Sequence, residues 1–150
     1  MKILVCTDGS ENSKKCVEVA ARMVGDCTIN EVTLIYVHDS AHFFPDYWHG
    51  KYPFTPEEEQ QLKKLDKRVI EERKDIFAGA LEQFKDSHAK VNTVFKIGHP
   101  AEMIAEEAAT NNYDIVMIGR RGTGGVKKLF MGSVSSTVLQ LVKTNIMIVK

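Results

Sequence analysis

Apolar residues in this chain recur in two rhythms: short unbroken runs, and longer stretches at helical spacing. Ile3, Leu4, Val5 and Cys6 stand in a row. So short a run predicts a strand buried on both faces, here over residues 2–7. It ends in Asp8-Gly9-Ser10. Ser10 is placed to cap a helix in which Cys16, Val17, Ala20, Ala21 and Val24 recur, with Gly25 as its stop. Residues 31–38, with Val32, Leu34, Ile35, Tyr36 and Val37, predict the second strand. An irregular piece follows at 39–54, with two prolines and six aromatics that set it apart from the regular elements.

Thr55, Pro56 and Glu58 then form a helix start: a cap, a first-position proline and a capping-box acid. Behind them Leu62, Leu65, Val69, Ile76, Phe77, Ala80, Leu81 and Phe84 make an apolar stripe. Lys63, Lys64, Lys67, Glu71, Glu72 and Lys74 make the opposite face, which reads as solvent-facing. Val91, Thr93, Phe95 and Ile97 alternate with Asn92, Val94 and Lys96, a half-buried third strand suited to a sheet edge. Gly98-His99-Pro100 turns into a third helix with Ala101, Ile104, Ala105 and Ala108, ended by Asn111-Asn112. Residues 115–118 form strand four. Val134, Val138, Leu141 and Val142 mark helix four, which Lys143-Thr144-Asn145 breaks before the last strand, Ile146-Met147-Ile148-Val149.

Strict alternation of strand and helix predicts an α/β fold, a five-stranded parallel sheet with helices on both faces. Right-handed crossovers leave few topologies. A doubly wound order 3-2-1-4-5 puts the half-buried third strand at one edge and the reversal of direction between strands one and four. Ligands of such sheets bind at that reversal, beyond the carboxyl ends of the strands. Those ends are Asp8-Gly9-Ser10 and Gly119 onward. The last strand takes the other edge with no helix after it. An apolar edge is an aggregation hazard unless it pairs. A symmetric homodimer through Ile146-Met147-Ile148-Val149 is therefore expected.

Composition narrows the picture. The chain has 150 residues, enough for a single domain spanning 1–150 with its own core. Lys plus Arg and Asp plus Glu both number 20, so the formal net charge is zero. That argues against nucleic-acid or membrane binding by bulk charge. Cys6, Cys16 and Cys27 have no paired spacing and read as buried free thiols. No apolar run nears the roughly 18 residues of a membrane span. The first ten residues turn polar too early for a signal peptide, and a cytoplasmic protein is expected.

Against that neutral background one basic stretch stands out: residues 113–133, YDIVMIGRRGTGGVKKLFMGS. Its skeleton is Gly119-x-x-Gly122, nine residues, then Gly132-Ser133, with Arg120, Arg121, Lys127 and Lys128 inside. It lacks the Lys-Ser or Lys-Thr of a Walker loop, and it follows strand four, unlike a dinucleotide fingerprint. The strand end brings Gly119 and Gly122 to one side of a pocket, and Gly132 and Ser133 return helix-start amides and a hydroxyl to it. Such a place suits phosphate. The alternative is a flexible connection with Ser133 as an ordinary N-cap.

On these residues the chain resembles single-domain universal stress proteins of the ATP-binding type. Gly119, Gly122, Gly132 and Ser133 match that family's nucleotide motif in full. Ile3-Leu4-Val5, Asp8-Gly9-Ser10 and Asp114-Ile115-Val116-Met117-Ile118-Gly119 are similar to its phrases, and the resemblance runs over residues 2–150. It implies a Rossmann-like, adenine nucleotide alpha hydrolase-like fold, dimers joined through the last strand, and ATP with Mg2+ brought by the triphosphate. It implies Thr7 and Asp8 near ribose or a phosphate-bound metal, and the Val37 backbone at the adenine edge. It places Ile118, Gly119 and Gly122 by ribose and α-phosphate, and Gly132, Ser133 and Val134 on the β- and γ-phosphates. Arg121, with Arg120 and Lys127, would add charge or face water. Asp8 has a plainer reading as a turn residue assisting the first cap.

The chain departs from many relatives in having Asn145-Ile146 where they have a proline. In the 39–54 insert, Asp39, His42, Asp46 and His49 lack a period that would gather them on a metal. Phe43, Phe44 and Trp48 read as packing, with stacking on adenine as the alternative. The resemblance implies a nucleotide-dependent stress-response or signalling switch without dedicated catalysis, hydrolysis being slow or absent. No general base with a clear partner stands beside the loop. Two alternatives stay open: a weak ATPase or adenylyl-transfer enzyme, and a nucleotide-free dimeric interaction module.

Overall fold

The computed structural model describes residues 1–26, 28–39, 56–120 and 131–150, with the backbone alone at 26 and 56–66. Among them the chain runs β1 (Lys2–Cys6), α1 (Glu11–Asp26), β2 (Glu31–His38), α2 (Pro56–Glu82), β3 (Lys90–Ile97), α3 (Pro100–Thr110), β4 (Ile115–Gly119), α4 (Ser133–Leu141) and β5 (Asn145–Val149). The five strands form one sheet ordered β3-β2-β1-β4-β5, every neighbouring pair parallel. This is the expected doubly wound order.

The unbroken apolar run of β1 is explained by its two faces. Ile3 and Val5 enter one core with Cys16, Val17 and Ala20 of α1 and with Ala80 and Phe84 from the region of α2. Leu4 and Cys6 enter a second core with Ile104 and Ala108 of α3 and Val138 of α4. Successive strand residues point to opposite faces, so a strand between two helical layers needs apolar residues at every position. Cys6 and Cys16 are free and buried. Burial pushes the Cys6 thiol up and the Cys16 thiol up to about 12, so both remain protonated. Cys27 lies outside the described residues.

Several local expectations shift. β3 does lie at an edge, but its apolar residues divide between the faces: Val91 packs on the first core and Val94 on the second. Leu81 falls off the α2 stripe and is exposed, while Val69, Ala80 and Phe84 are buried. α1 continues through Gly25 to Asp26, so Gly25 is not its stop. α2 begins at Pro56, with the predicted Thr55 cap outside the described residues. β5 takes in Asn145. Asn111-Asn112 does end α3 as expected, Asn111 as the C-cap and Asn112 in a left-handed conformation at φ 51°. Among the described residues no helix is long and apolar enough to cross a membrane.

Candidate functional site

β1 and β4 lie side by side, and their carboxyl ends open at the reversal of the sheet. The first wall of that crevice is the turn after β1. Thr7 N–H donates to Ile35 O at 2.9 Å, the last backbone bond of the β1–β2 ladder among the described residues. The chain then turns through Gly9, which has φ 76°. Ser10 caps α1 as predicted, its hydroxyl accepting from Ser13 N–H at 3.3 Å. Asp8 Oδ1 accepts from Ser10 N–H at 3.0 Å, the turn-supporting role open to it in the sequence. Ser13, buried, ties the turn together: its Oγ accepts from Asp8 N–H at 3.3 Å and donates to Ser10 O at 2.9 Å.

Val37 is positioned by register. Residues of β2 present their peptide groups alternately to the two neighbouring strands. Ile35 bonds toward β1 through Thr7, and His38 bonds toward β3 through Gly98 N–H at 3.1 Å. The Val37 peptide therefore points to the β1 side, into the space that β1 vacates when it turns at Asp8. A donor and an acceptor on one edge can pair with the edge of a purine. On the α2 side of the same strand end, the Tyr36 hydroxyl and His38 Nδ1 lie 3.2 Å apart, and Glu72 Oε2 stands 3.8 Å from that nitrogen. Burial, with Glu72 beside it, holds the Tyr36 hydroxyl well above its ordinary range.

The second wall follows β4. Ile118 and Gly119 are buried at its end. A Cβ on Gly119 would lie 2.8 Å from Asn12 O and 2.9 Å from Asn12 C. The glycine is thus required by the first turn of α1, which rests against the strand. Arg121 and Gly122 lie outside the described residues, as do Lys127, Lys128 and the insert's His42, Phe43, Phe44, Asp46, Trp48 and His49. The chain returns at Gly132, whose N–H donates to Arg120 O at 2.8 Å. Gly132 is the N-cap of α4, and Ser133 is the first helical residue, so Ser133 is not the cap. The first bond of α4 runs from Ser136 N–H to Gly132 O at 2.9 Å. The N–H groups of Ser133, Val134 and Ser135 consequently have no acceptor within the helix. Because the Gly132 amide is already bonded, helix-start donation falls to these three.

Ile118 belongs to the second core, and Val37 and Val134 each pack against that core, so all three lie on one side of the sheet. Thr7, Asp8 and Gly119 meet around the start of α1. A cavity of about 360 Å3 opens between α1 and α2, lined by Thr7, Gly9, Ile76 and Ala80 among others. It shares only Thr7 with the predicted ligand set and has no lining residue from β4 or α4, so it is not the crevice at the sheet reversal. The sequence reading missed Ser13 and Ser135, the buried hydroxyls behind each wall. Their spacing three residues after Ser10 and Gly132 was the available signal.

A profile of the Universal stress protein family matches residues 1–150. The universal stress protein YxiE of Bacillus subtilis is 27% identical over 149 residues, 99% of this chain and 98% of that protein. A universal stress protein of Thermus aquaticus is 30% identical over 137 residues, 91% of this chain and 89% of that one. Among solved structures, UspA from Lactobacillus plantarum is similar with a TM-score of 0.81 at 21% identity, covering 100% of this chain and 97% of the other. The Archaeoglobus fulgidus universal stress protein in complex with dAMP has a TM-score of 0.65 at 16% identity, covering 100% and 98%. An Arabidopsis thaliana protein of the family with AMP bound has a TM-score of 0.66 at 15% identity, covering 100% and 91%.

Proposed function

Because the chain belongs to the universal stress protein family, we propose that it binds ATP with Mg2+ in the crevice beyond β1 and β4 and acts as a nucleotide-dependent stress-response or signalling switch. The observation that carries this reading is the convergence of two different recognition elements. At one end the Val37 peptide offers a donor–acceptor edge for adenine. At the other, three helix-start amides of α4 suit phosphate oxygens, since a helix N-terminus attracts anions. The dAMP and AMP held by the Archaeoglobus and Arabidopsis proteins support an adenine nucleotide. The amides of Ser133, Val134 and Ser135 favour a ligand with further phosphates.

Thr7 and Asp8 would border the ribose, with Ile118, Gly119, Arg121 and Gly122 along the sugar and first phosphate. Ser133 and Val134 would hold the outer phosphates, with Gly132 fixing where they stand. Mg2+ would come with the triphosphate, and Asp8 would stand near the ribose or that metal. Hydrolysis is slow or absent in this reading. The chain would act in the cytoplasm as a single domain and a homodimer, through the outer edge of β5, where Ile146, Met147 and Ile148 are only partly buried.

Calorimetric titration of ATP and AMP, with and without Mg2+, tests the proposal beside a Gly122→Val variant. Saturable ATP binding that the variant loses is the expected result. An intact protein that binds neither nucleotide would overturn it. Product formation over hours at saturating ATP separates a switch from a weak ATPase.

A further inference from the structure

The Ser135 side chain has no assigned role, yet the residue is 2% exposed and its hydroxyl bonds beyond its own helix. Its one hydroxyl proton is shared between Arg120 O at 2.8 Å and Gly132 O at 3.1 Å. The second contact is the ordinary habit of a serine in a helix, which bonds back to a carbonyl one turn earlier. The first is not, because Arg120 lies fifteen residues away along the chain. Arg120 O also accepts from Gly132 N–H at 2.8 Å, and Arg120 N–H donates to Val149 O of β5 at 2.8 Å. The backbone of one residue therefore joins the end of β4, the start of α4 and the edge strand.

We propose that Ser135 is a positioning residue for the phosphate end of the nucleotide site, its hydroxyl fixing the helix-start amides of Ser133 and Val134 against the Arg120 carbonyl. The inference rests on the adenine-nucleotide reading. Without the hydroxyl, the Gly132 amide is the one remaining hydrogen bond from the start of α4 to the end of β4 among the described residues. The Ser133 and Val134 amides then lose their fixed direction, while the Val37 edge, on another strand, keeps its own. The effect is specific to the part of the ligand that α4 touches.

The test compares ATP with adenosine, which lacks the phosphates. Both are titrated against the intact protein, Ser135→Ala, Ser135→Thr and Ser135→Val. Ser135→Ala is expected to weaken ATP by about five- to tenfold, in keeping with one lost hydrogen bond, and adenosine by less than about twofold. Ser135→Thr keeps the hydroxyl and restores the ATP-to-adenosine ratio. Ser135→Val has the shape of threonine without the hydroxyl and does not, so the Thr/Val pair decides the matter even if the alanine variant fails to fold. Equal losses for both ligands, or an unchanged ratio in Ser135→Val, would sink the positioning role and leave the nucleotide reading standing. If the intact protein binds neither ligand, both fall.

Discussion

The two turns that face each other at the sheet reversal are built on opposite plans. The turn after β1 closes on itself. Its bonds join Asp8 to Ser10 and Ser13 to Asp8 and Ser10, all within one short stretch. The wall after β4 closes at a distance, since Arg120 is bonded to Gly132, Ser135 and, through its own amide, Val149. Their glycines differ as well. Gly9 is needed for its backbone angle, and Gly119 for the close approach of another element. A self-contained turn keeps its shape when its surroundings change. A wall assembled from distant parts depends on each of them.

Four substitutions break or sharpen this contrast. The largest effect is expected from Gly119→Val, because the new side chain meets backbone atoms of Asn12 that cannot swing aside. A loss of about 2–3 kcal/mol in urea unfolding is expected, as for overpacked cores. A neutral result would mean that α1 does not rest on β4. Gly9→Ala comes next. The left-handed conformation costs an L-residue about 1–2 kcal/mol. The nearest atom, Ile76 Cγ1 at 3.0 Å, belongs to a side chain able to yield. Thermal melting should show that loss, and a larger one would make contact with α2, not backbone angle, the reason for the glycine.

Ser10→Ala removes the α1 cap and should cost about 1 kcal/mol by chemical denaturation. Less than a few tenths would show that Asp8 and Ser13 hold the turn without it. Gly79→Ala is the control of opposite sign. Gly79 is exposed inside α2, and a Cβ there meets nothing within 4 Å. A gain of about 0.5–1 kcal/mol is expected from helix propensity. Destabilisation there would contradict the open space beside α2.

The contrast between the turns also explains what could be read from the sequence. Strand order, the two buried faces of β1 and the Ser10 cap rest on local signals such as unbroken apolar runs, turn residues and cap spacing. The structure agrees with them. Gly119 and Ser133 were noticed for the right spacing, but their local reasons came from elsewhere in space. Nothing adjacent to Gly119 in sequence announces that Asn12 will press on it. The place of Ser133 as first helical residue follows from the Gly132–Arg120 bond, which joins residues twelve apart. Arg120 reads in the sequence as one of the loop cations, and nothing local announces that its backbone joins β4, α4 and β5. Leu81 misled for a simpler reason: it falls at the margin of the helix face that Val69, Ala80 and Phe84 bury.

The pairing of Ile3 with Ile115 has a consequence for biosynthesis. As the chain leaves the ribosome, β2 can pair with β1 and then with β3, but the other edge of β1 stays bare until β4 is made. The crevice at the sheet reversal does not exist in that interval, because one of its walls has not been translated. A fragment stopping before residue 115 keeps the self-contained turn and displays the open side of a buried strand, the kind of surface that chaperones and neighbouring nascent chains encounter.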